Sequence, residues 1–287
     1  MSREHELISL KQQDSYRTLS PVSHREGPYA TRNHTRYIDF SSNDYLGLSK
    51  HPELIKSVIE SLNQFGTGST GSRLLSSDLE LTHQLEQKIA LFTGKSDAIV
   101  FNSGFQMNSG IFTCLYNTHD LILMDKLSHA SLIDGVKNSG SKWFRFKHNT
   151  TSHLITLLEK HRQDAQRCAI VTESVFSMDG DLAPLEELID IKNHYDCELW
   201  VDEAHATGVF GDTGAGRASQ LNLSEQIDGI LGTFGKALGS FGAYCACSKT
   251  IKKLLVSKCR SFIYTTALPP SVIASNLKTI ASDFPVK

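Results

Sequence analysis

The chain has 287 residues, of which 40% are hydrophobic and 21% are charged, as is ordinary for a folded globular protein. Its formal net charge of −2 gives no electrostatic reason to expect nucleic acid or an anionic membrane surface as a partner. No apolar run approaches the ~20 residues that span a bilayer, and the charged start of the chain lacks the apolar segment of a signal peptide. We therefore expect a cytoplasmic protein.

The first 37 residues are polar, and they predict an irregular N-terminal segment with one short helix. From residue 38 onward the sequence has the pattern of a packed domain, so residues 38–287 are predicted to form one large domain. The six cysteines contain no CxxC motif and no disulfide-like framework, so we expect them to pack in the core and to bind no metal.

Short apolar runs alternate with amphipathic segments along this large domain. The apolar runs predict strands at 98–101, 121–125, 143–146, 169–173, 198–202, 229–234 and 243–247. The amphipathic segments between them predict helices at 104–117, 129–139, 151–164 and 184–195. Strands that alternate with helices are typical of an α/β fold, with a mostly parallel central sheet and helices on both faces.

Polar motifs stand at the ends of three predicted strands. They are "ESVFSMDGD" at 173–181, "VDEAHATG" at 201–208 and "GTFGK" at 232–236. In parallel α/β sheets, ligand sites form outside the carboxyl ends of the strands. The three motifs therefore meet at one site if the three strands are neighbours.

The "DEAH" sequence at 202–205 also resembles the acidic motif of helicase-type ATPases, which hold a magnesium ion near a nucleotide. That function requires a phosphate-binding loop of the form GxxxxGK[ST]. The Gly-Lys pairs at 94–95 and 235–236 both have isoleucine where the first glycine belongs, and the second pair is also followed by alanine. An ATPase is therefore the least supported alternative.

Lys236 is the only charged residue between Asp228 and Lys249. A lysine in a small, poorly hydrated pocket has its charged form disfavoured, so more of it is available as a neutral nucleophile that forms an imine with an aldehyde cofactor. Asp202 at a strand end can pair with the ring nitrogen of a heteroaromatic cofactor, and His205 is close enough in sequence to contact the same ligand. A helix-capping role would explain Asp202 alone but not these three residues together.

Two further segments predict contacts to a phosphorylated, planar cofactor. In "FNSGFQMNSG" a strand leads through Ser-Gly into a helix, whose N-terminal N–H groups suit a phosphate, and Gly104 permits a close approach. The Thr233 hydroxyl can reach the same phosphate. His129 stands at another helix start, where it either caps the helix or stacks on the cofactor ring.

Eight blocks in order then identify a family resemblance. They are "DFSSNDYLGLS", "GTGSTGSRLLSS", "FNSGF", "LSHASLIDG", "ESVFSMDGDLAPL", "VDEAHATGVFG", "GTFGKALGSFGAY" and "IYTTALPP". Together they resemble the α-oxoamine synthases, which are pyridoxal-phosphate enzymes of aminotransferase fold type I. The resemblance extends from about residue 17 to the end of the chain. It implies pyridoxal 5′-phosphate as the cofactor.

The resemblance also implies roles for individual residues. Lys236 would be the Schiff-base lysine and the acid/base at the substrate Cα, Asp202 would pair with the pyridine nitrogen, and His205 with the ring oxygen. His129 would be catalytic, stacking on the ring and contacting substrate, and Arg17 would bind the carboxylate of the acyl substrate. The remaining residues implied to seat the cofactor and its phosphate are Gly104, Phe105, Ser177 and Thr233.

The implied reaction is an acyl transfer. L-alanine condenses with pimeloyl-CoA or its acyl-carrier-protein equivalent and loses CO₂, which gives 8-amino-7-oxononanoate for biotin biosynthesis. The resemblance further implies a homodimer with shared active sites and a C-terminal domain that this sequence lacks. The alternatives are a glycine C-acetyltransferase-like or long-chain acyl member of the family, and a catalytically silent subunit that binds pyridoxal phosphate.

Overall fold

A computed structural model describes residues 2–281 in two compact units, the first ending at Ser42 and the second beginning at Asn43. The predicted boundary lay between residues 37 and 38, and residues 282–287 of the predicted large domain lie outside the described range. No helix among the described residues is long and apolar enough to cross a membrane.

The first unit is more ordered than the sequence pattern predicted. It contains the expected short helix, α1 (Arg3–Gln12), and also three short antiparallel strands, β1 (His24–Glu26), β2 (Tyr29–Arg32) and β3 (Thr35–Ile38). Asn33 and His34 link β2 to β3 with positive φ angles of 48° and 63°, as a tight hairpin turn requires. These strands are largely exposed, so they carry no apolar alternation by which the sequence could reveal them.

The second unit is built around a seven-stranded sheet. Its strands are β4 (Asp97–Phe101), β5 (Leu121–Asp125), β6 (Lys142–Phe146), β7 (Cys168–Glu173), β8 (Glu198–Asp202), β9 (Gly229–Thr233) and β10 (Ala243–Cys247). Their spatial order is β4-β10-β9-β8-β7-β5-β6, and only β10 runs antiparallel to its neighbours. The predicted α/β fold with a mostly parallel sheet is therefore confirmed.

Helices cover both faces of this sheet. They are α2 (Pro52–Phe65), α3 (Glu80–Thr93), α4 (Gly104–Leu115), α5 (Ala130–Asn138), α6 (Thr151–His161), α7 (Leu185–His194), α8 (Arg217–Gln220), α9 (Lys249–Lys258), α10 (Arg260–Ile263) and α11 (Pro270–Ala281). Successive strand residues enter opposite cores, one beneath α3, α6, α7 and α11 and the other beneath α4, α5, α9 and α10. Because both faces are buried, the strands are continuous apolar runs, which is why the sequence revealed them.

The topology places β7, β8 and β9 side by side and parallel, so their carboxyl ends lie at one edge of the sheet. Glu173 and Asp202 are the last residues of their strands and are register partners, and Thr233 ends the next strand. The condition under which the three polar motifs meet at one site is therefore fulfilled.

Candidate active site

A cavity of about 250 Å³ lies at this edge of the sheet. Its walls come from the ends of β7, β8 and β9, the turn before β10, and the N-termini of α4 and α5. The predicted site residues that line it are Gly104, Phe105, His129, Asp202, His205, Thr233 and Lys236.

Two predicted residues are not among those that line this cavity. Ser177 is exposed on the loop after β7 and is not among the residues that line the cavity. Arg17 is an exposed residue of the first unit, and its predicted contact with an acyl carboxylate stays a prediction.

The Lys236 amine lies 2.8 Å from Nε2 of His205. Burial lowers the pKa of Lys236, although the charge of Asp202, and that of Glu173 when it is ionised, oppose this. Burial and the neighbouring Lys236 lower the pKa of His205 to about 4, so the imidazole is neutral near pH 7. A neutral ring that accepts from Lys236 at Nε2 carries its proton on Nδ1, which donates to the Tyr45 hydroxyl 2.7 Å away. The site therefore favours the neutral amine that a nucleophilic lysine requires.

A tight turn immediately after Lys236 fixes the position of the backbone that carries its side chain. The Gly239 N–H donates to the Lys236 carbonyl over 2.9 Å, and Gly239 has a φ of 63°. A side chain at Gly239 would meet the backbone nitrogen of Ser49 at 2.5 Å, so the close packing of this turn requires glycine.

Asp202 is buried, and its carboxylate accepts two hydrogen bonds. Oδ1 accepts from the Ala204 N–H at 2.9 Å and Oδ2 accepts from the Asn108 amide at 3.1 Å. The same Asn108 amide donates to the Ser131 hydroxyl at 3.0 Å, and this hydroxyl lies 2.8 Å from Nδ1 of His129. Asn108 thus connects the carboxylate to the histidine across the cavity.

His129 caps the N-terminus of α5. Its Nδ1 accepts from the Ser131 N–H at 3.2 Å, so the capping role considered from the sequence is present. The ring also lines the cavity, and the two roles are compatible because capping uses only Nδ1. The other edge of the ring is available for a ligand.

The start of α4 is suited to an anion. Ser103 caps this helix by accepting from the Gln106 N–H at 3.2 Å, which leaves first-turn N–H groups directed out of the helix. A side chain at Gly104 would meet the Thr233 methyl group at 2.9 Å, so only glycine allows this approach. The Thr233 hydroxyl is buried, and among the described residues it has no hydrogen-bond partner. An unsatisfied buried donor beside free helix N–H groups fits a phosphate.

Thr233→Val tests this anion site. Valine keeps the shape of threonine but removes the hydroxyl. We expect the affinity for pyridoxal phosphate to fall by about 10- to 100-fold, because a hydrogen bond to a charged group contributes about 1.5–3 kcal/mol. Titration of the cofactor-free protein, followed by absorbance, measures the dissociation constant. Thr118→Val, on a surface turn, serves as the control, and unchanged affinity in Thr233→Val would contradict the phosphate contact.

His148 anchors the loop after β7 that carries Ser177. Its Nδ1 lies 2.9 Å from Asp125 at the end of β5, and its Nε2 lies 2.6 Å from Asp181 in the loop. Burial disfavours the charged ring, but the hydrogen bonds and charges of the two carboxylates outweigh burial and raise the pKa of His148. The protonated ring can donate to both carboxylates at once.

This contact predicts a pH dependence of stability. Because the pKa is raised in the folded state, the stabilisation is fully present below the unfolded value of 6.5 and is lost as the pH rises through the folded value. As the pH rises from below 6.5 to above the folded-state pKa of His148, we expect the wild-type Tm to fall by about 2–4 °C more than that of His148→Gln. Thermal unfolding at a series of pH values tests the difference, and parallel curves would refute the assignment.

The sequence alone did not identify four polar residues at this site: Tyr45, Asn108, Ser131 and Glu173. Glu173 ends the run "AIVTE" just as Asp202 ends "ELWVD", and that parallel was the available signal. Asn108 lies one helical turn after Gly104 and faces the same cavity, which follows from helix periodicity only once the site is known. Tyr45 lies in the loop before α2, and its contact with His205 is not indicated by any local sequence pattern.

Within residues 2–281, no group of three or more His, Cys, Asp or Glu side chains is arranged to hold a metal ion.

Comparison with known proteins gives consistent matches. The model of the aminotransferase class I and II family matches residues 35–282. An 8-amino-7-oxononanoate synthase of Geobacter sulfurreducens is 45% identical over 270 residues, which are 94% of this chain and 69% of that protein. A serine palmitoyltransferase of Sphingomonas wittichii superposes with a TM-score of 0.91 at 31% identity, over 97% of this chain and 71% of the other.

A second solved serine palmitoyltransferase, which contains pyridoxal phosphate, has a TM-score of 0.88 at 31% identity, over 97% of this chain and 70% of the other. These matches extend over nearly all of the present sequence and agree with the eight sequence blocks. The chain therefore belongs to the aminotransferase class I and II family and, within it, to the α-oxoamine synthases.

Proposed function

We propose that this chain is an acyltransferase that condenses L-alanine with a pimeloyl thioester, with loss of CO₂, to give 8-amino-7-oxononanoate. Its cofactor is pyridoxal 5′-phosphate. The observation that carries the proposal is the Lys236 amine, held 2.8 Å from a neutral His205 in a cavity that also contains the Asp202 carboxylate. The relatives named 8-amino-7-oxononanoate synthase supply the choice of reaction.

The residues of the cavity are chemically suited to the polar groups of this cofactor. Thr233 and the N-terminus of α4 would hold the phosphate, and Asp202 the ring nitrogen. His205 would contact the ring oxygen and His129 the ring face. The unsatisfied Thr233 hydroxyl is the most direct sign of this fit.

Pyridoxal phosphate, when bound, supplies an aldehyde that condenses with amines and a ring that accepts electrons released at the substrate Cα. Lys236 provides the amine, and its depressed pKa allows it both to take the Cα proton and to return it. Asp202 would hold a proton at the ring nitrogen by its negative charge, and two hydrogen bonds fix the orientation of its carboxylate. His205 stays neutral and so can accept a hydrogen bond without adding positive charge.

The remaining features are also proposals. His129 would contact the bound substrate, and Arg17 in the first unit would bind the distal carboxylate of the pimeloyl group. Ser177 would assist in seating the cofactor, and the enzyme would act in the cytoplasm as a homodimer with shared active sites. Each rests on the family resemblance and on the residue types at matching positions.

The substrate is tested by supplying pyridoxal phosphate with three pairs of reactants and measuring thiol release together with product mass. We expect L-alanine with pimeloyl-CoA, or the acyl-carrier-protein form, to react fastest. Faster reaction of glycine with acetyl-CoA, or of serine with palmitoyl-CoA, would assign the chain to another member of the family. Cofactor binding without thiol release from any pair would identify a catalytically silent subunit.

A further inference from the structure

Glu173 is a buried carboxyl group at the cavity to which the proposed reaction gives no role. It ends β7, is only 3% exposed, and lines the cavity beside Asp202. Glu173 and Asp202 are register partners on adjacent parallel strands, so their side chains leave the sheet on the same face. Two acidic groups thus lie together in a poorly hydrated place.

The Glu173 carboxyl holds the start of α5. Its Oε1 accepts from the backbone N–H of His129 at 2.6 Å. The His129 ring is fixed from the other side by Ser131, through Nδ1. Glu173 therefore determines where the backbone of His129 lies, and Ser131 determines how its ring turns.

A second buried glutamate shows how a purely structural carboxyl is arranged here. Glu203 accepts from the Ser174 hydroxyl and from the backbone N–H groups of Arg217 and Ala218, and it does not line the cavity. These three donors hold the start of α8 and the residue after β7 against the end of β8. Glu173 instead faces the cavity and accepts from the N–H of a predicted site residue.

The two carboxyl groups of the pair, Glu173 and Asp202, differ in the protonation state that their surroundings favour. Burial, followed by the negative charge of Asp202, raises the pKa of Glu173 to about 8, against the opposing effects of the His129 and Ser177 backbones and of Lys236. Each oxygen of Asp202 accepts from an N–H donor. One negative charge in the pair is therefore the favoured state at neutral pH.

We propose that Glu173 is a positioning residue which, as a neutral carboxylic acid, holds His129 at the cavity and leaves Asp202 as the only anion of the pair. The inference rests on the proposed function only in taking the cavity as the cofactor site. The charged or titratable groups that line the cavity with Glu173 are Asp202 on β8, Lys236 after β9, His205 after β8 and His129 at α5.

Ionisation of Glu173 has a defined consequence for Lys236. A negative Glu173 raises the pKa of Lys236, as Asp202 already does. The fraction of neutral amine then falls, and with it the reaction of the amine with an aldehyde. Cofactor affinity should therefore contain a component that weakens as Glu173 loses its proton.

The test compares Glu173→Gln and Glu173→Ala with the wild type, with Glu186→Gln on the exposed start of α7 as the control. Glutamine keeps a neutral acceptor oxygen for the His129 N–H, and alanine removes it. At about pH 7 we expect Glu173→Gln to bind pyridoxal phosphate within about threefold of wild type and Glu173→Ala to bind about tenfold more weakly. From about pH 7 to about pH 9 the wild type should lose about threefold more affinity than Glu173→Gln.

Infrared difference spectra of the cofactor-free protein test whether the Glu173 carboxyl group carries a proton. Between about pH 7 and about pH 9 the wild type should lose a protonated-carboxyl band that Glu173→Gln lacks. Thermal unfolding checks that each variant folds, and Glu173→Gln should match the control.

The outcomes separate the possibilities. If Glu173→Gln bound pyridoxal phosphate as weakly as Glu173→Ala does, the neutral form of Glu173 would be overturned. If Glu173→Ala bound it as tightly as the wild type, the positioning role would be overturned. An absent infrared band would also overturn the neutral form. If the wild type showed the infrared band but bound no pyridoxal phosphate, the neutral form of Glu173 would be supported. The proposed function would then be contradicted instead.

Discussion

Lys236→Ala is expected to abolish the visible absorption band that pyridoxal phosphate acquires on binding and to reduce condensation activity by about 10⁴-fold or more. Lys236 is the only lysine among the described residues that line the cavity, so no neighbouring amine can replace it. Its pKa is lowered mainly by burial, which an amine introduced at the surface would not experience. Absorbance titration and the thiol-release assay measure the two effects separately.

The control for this variant is Lys126→Ala, which removes an exposed lysine between β5 and α5 that does not line the cavity. It should retain both the band and the activity. If Lys236→Ala kept the wild-type band, the amine would not be the point of attachment, and the assignment of the whole cavity would have to change. Loss of activity with the band retained would restrict Lys236 to proton transfer.

Asp202→Asn should reduce kcat by about 10²–10⁴-fold while it weakens cofactor binding much less. Asparagine has the size of aspartate, and its oxygen can still accept from the Ala204 N–H. It has no negative charge, so it cannot hold a proton at the ring nitrogen. Its amide group would also face the Asn108 amide, a donor against a donor, at the position now 3.1 Å apart.

Comparison of kcat with the cofactor dissociation constant distinguishes this role from a structural one. A structural role predicts that both are impaired to a similar extent and that the Tm falls. Asp134→Asn, on the exposed side of α5, is the matched control and should leave both constants unchanged. A wild-type kcat in Asp202→Asn would contradict the electrostatic role.

Most of the central sheet could be predicted from the sequence because its strands are buried on both faces. All seven predicted strands are present, and their bounds differ from the apolar runs by one residue at most. The end of α6 differs more: the predicted helix at 151–164 stops at His161 and continues as a tighter turn over Arg162–Asp164. Such terminal turns depend on local packing rather than on hydrophobic pattern.

The site was predictable where chemistry and strand ends coincide. Asp202 and Lys236 stand out as charged residues that follow apolar strands, and both line the cavity. Tyr45 and Asn108 act through contacts to residues distant in sequence, His205 and Asp202, which only the folded chain brings together. The small exposed sheet of the first unit was missed for a related reason, since burial creates the periodicity that a sequence reveals.

The parallel arrangement of β7, β8 and β9 has a consequence for how this chain can be lengthened or shortened. Each of Glu173, Asp202 and Thr233 is the final residue of its strand, and adding or removing one residue within a strand would turn its side chain to the opposite face. The connections that enter these strands from the other edge, such as residues 195–197 before β8, contribute no side chain to the cavity. Natural or engineered variation in length should therefore be tolerated better in such connections than within the three strands.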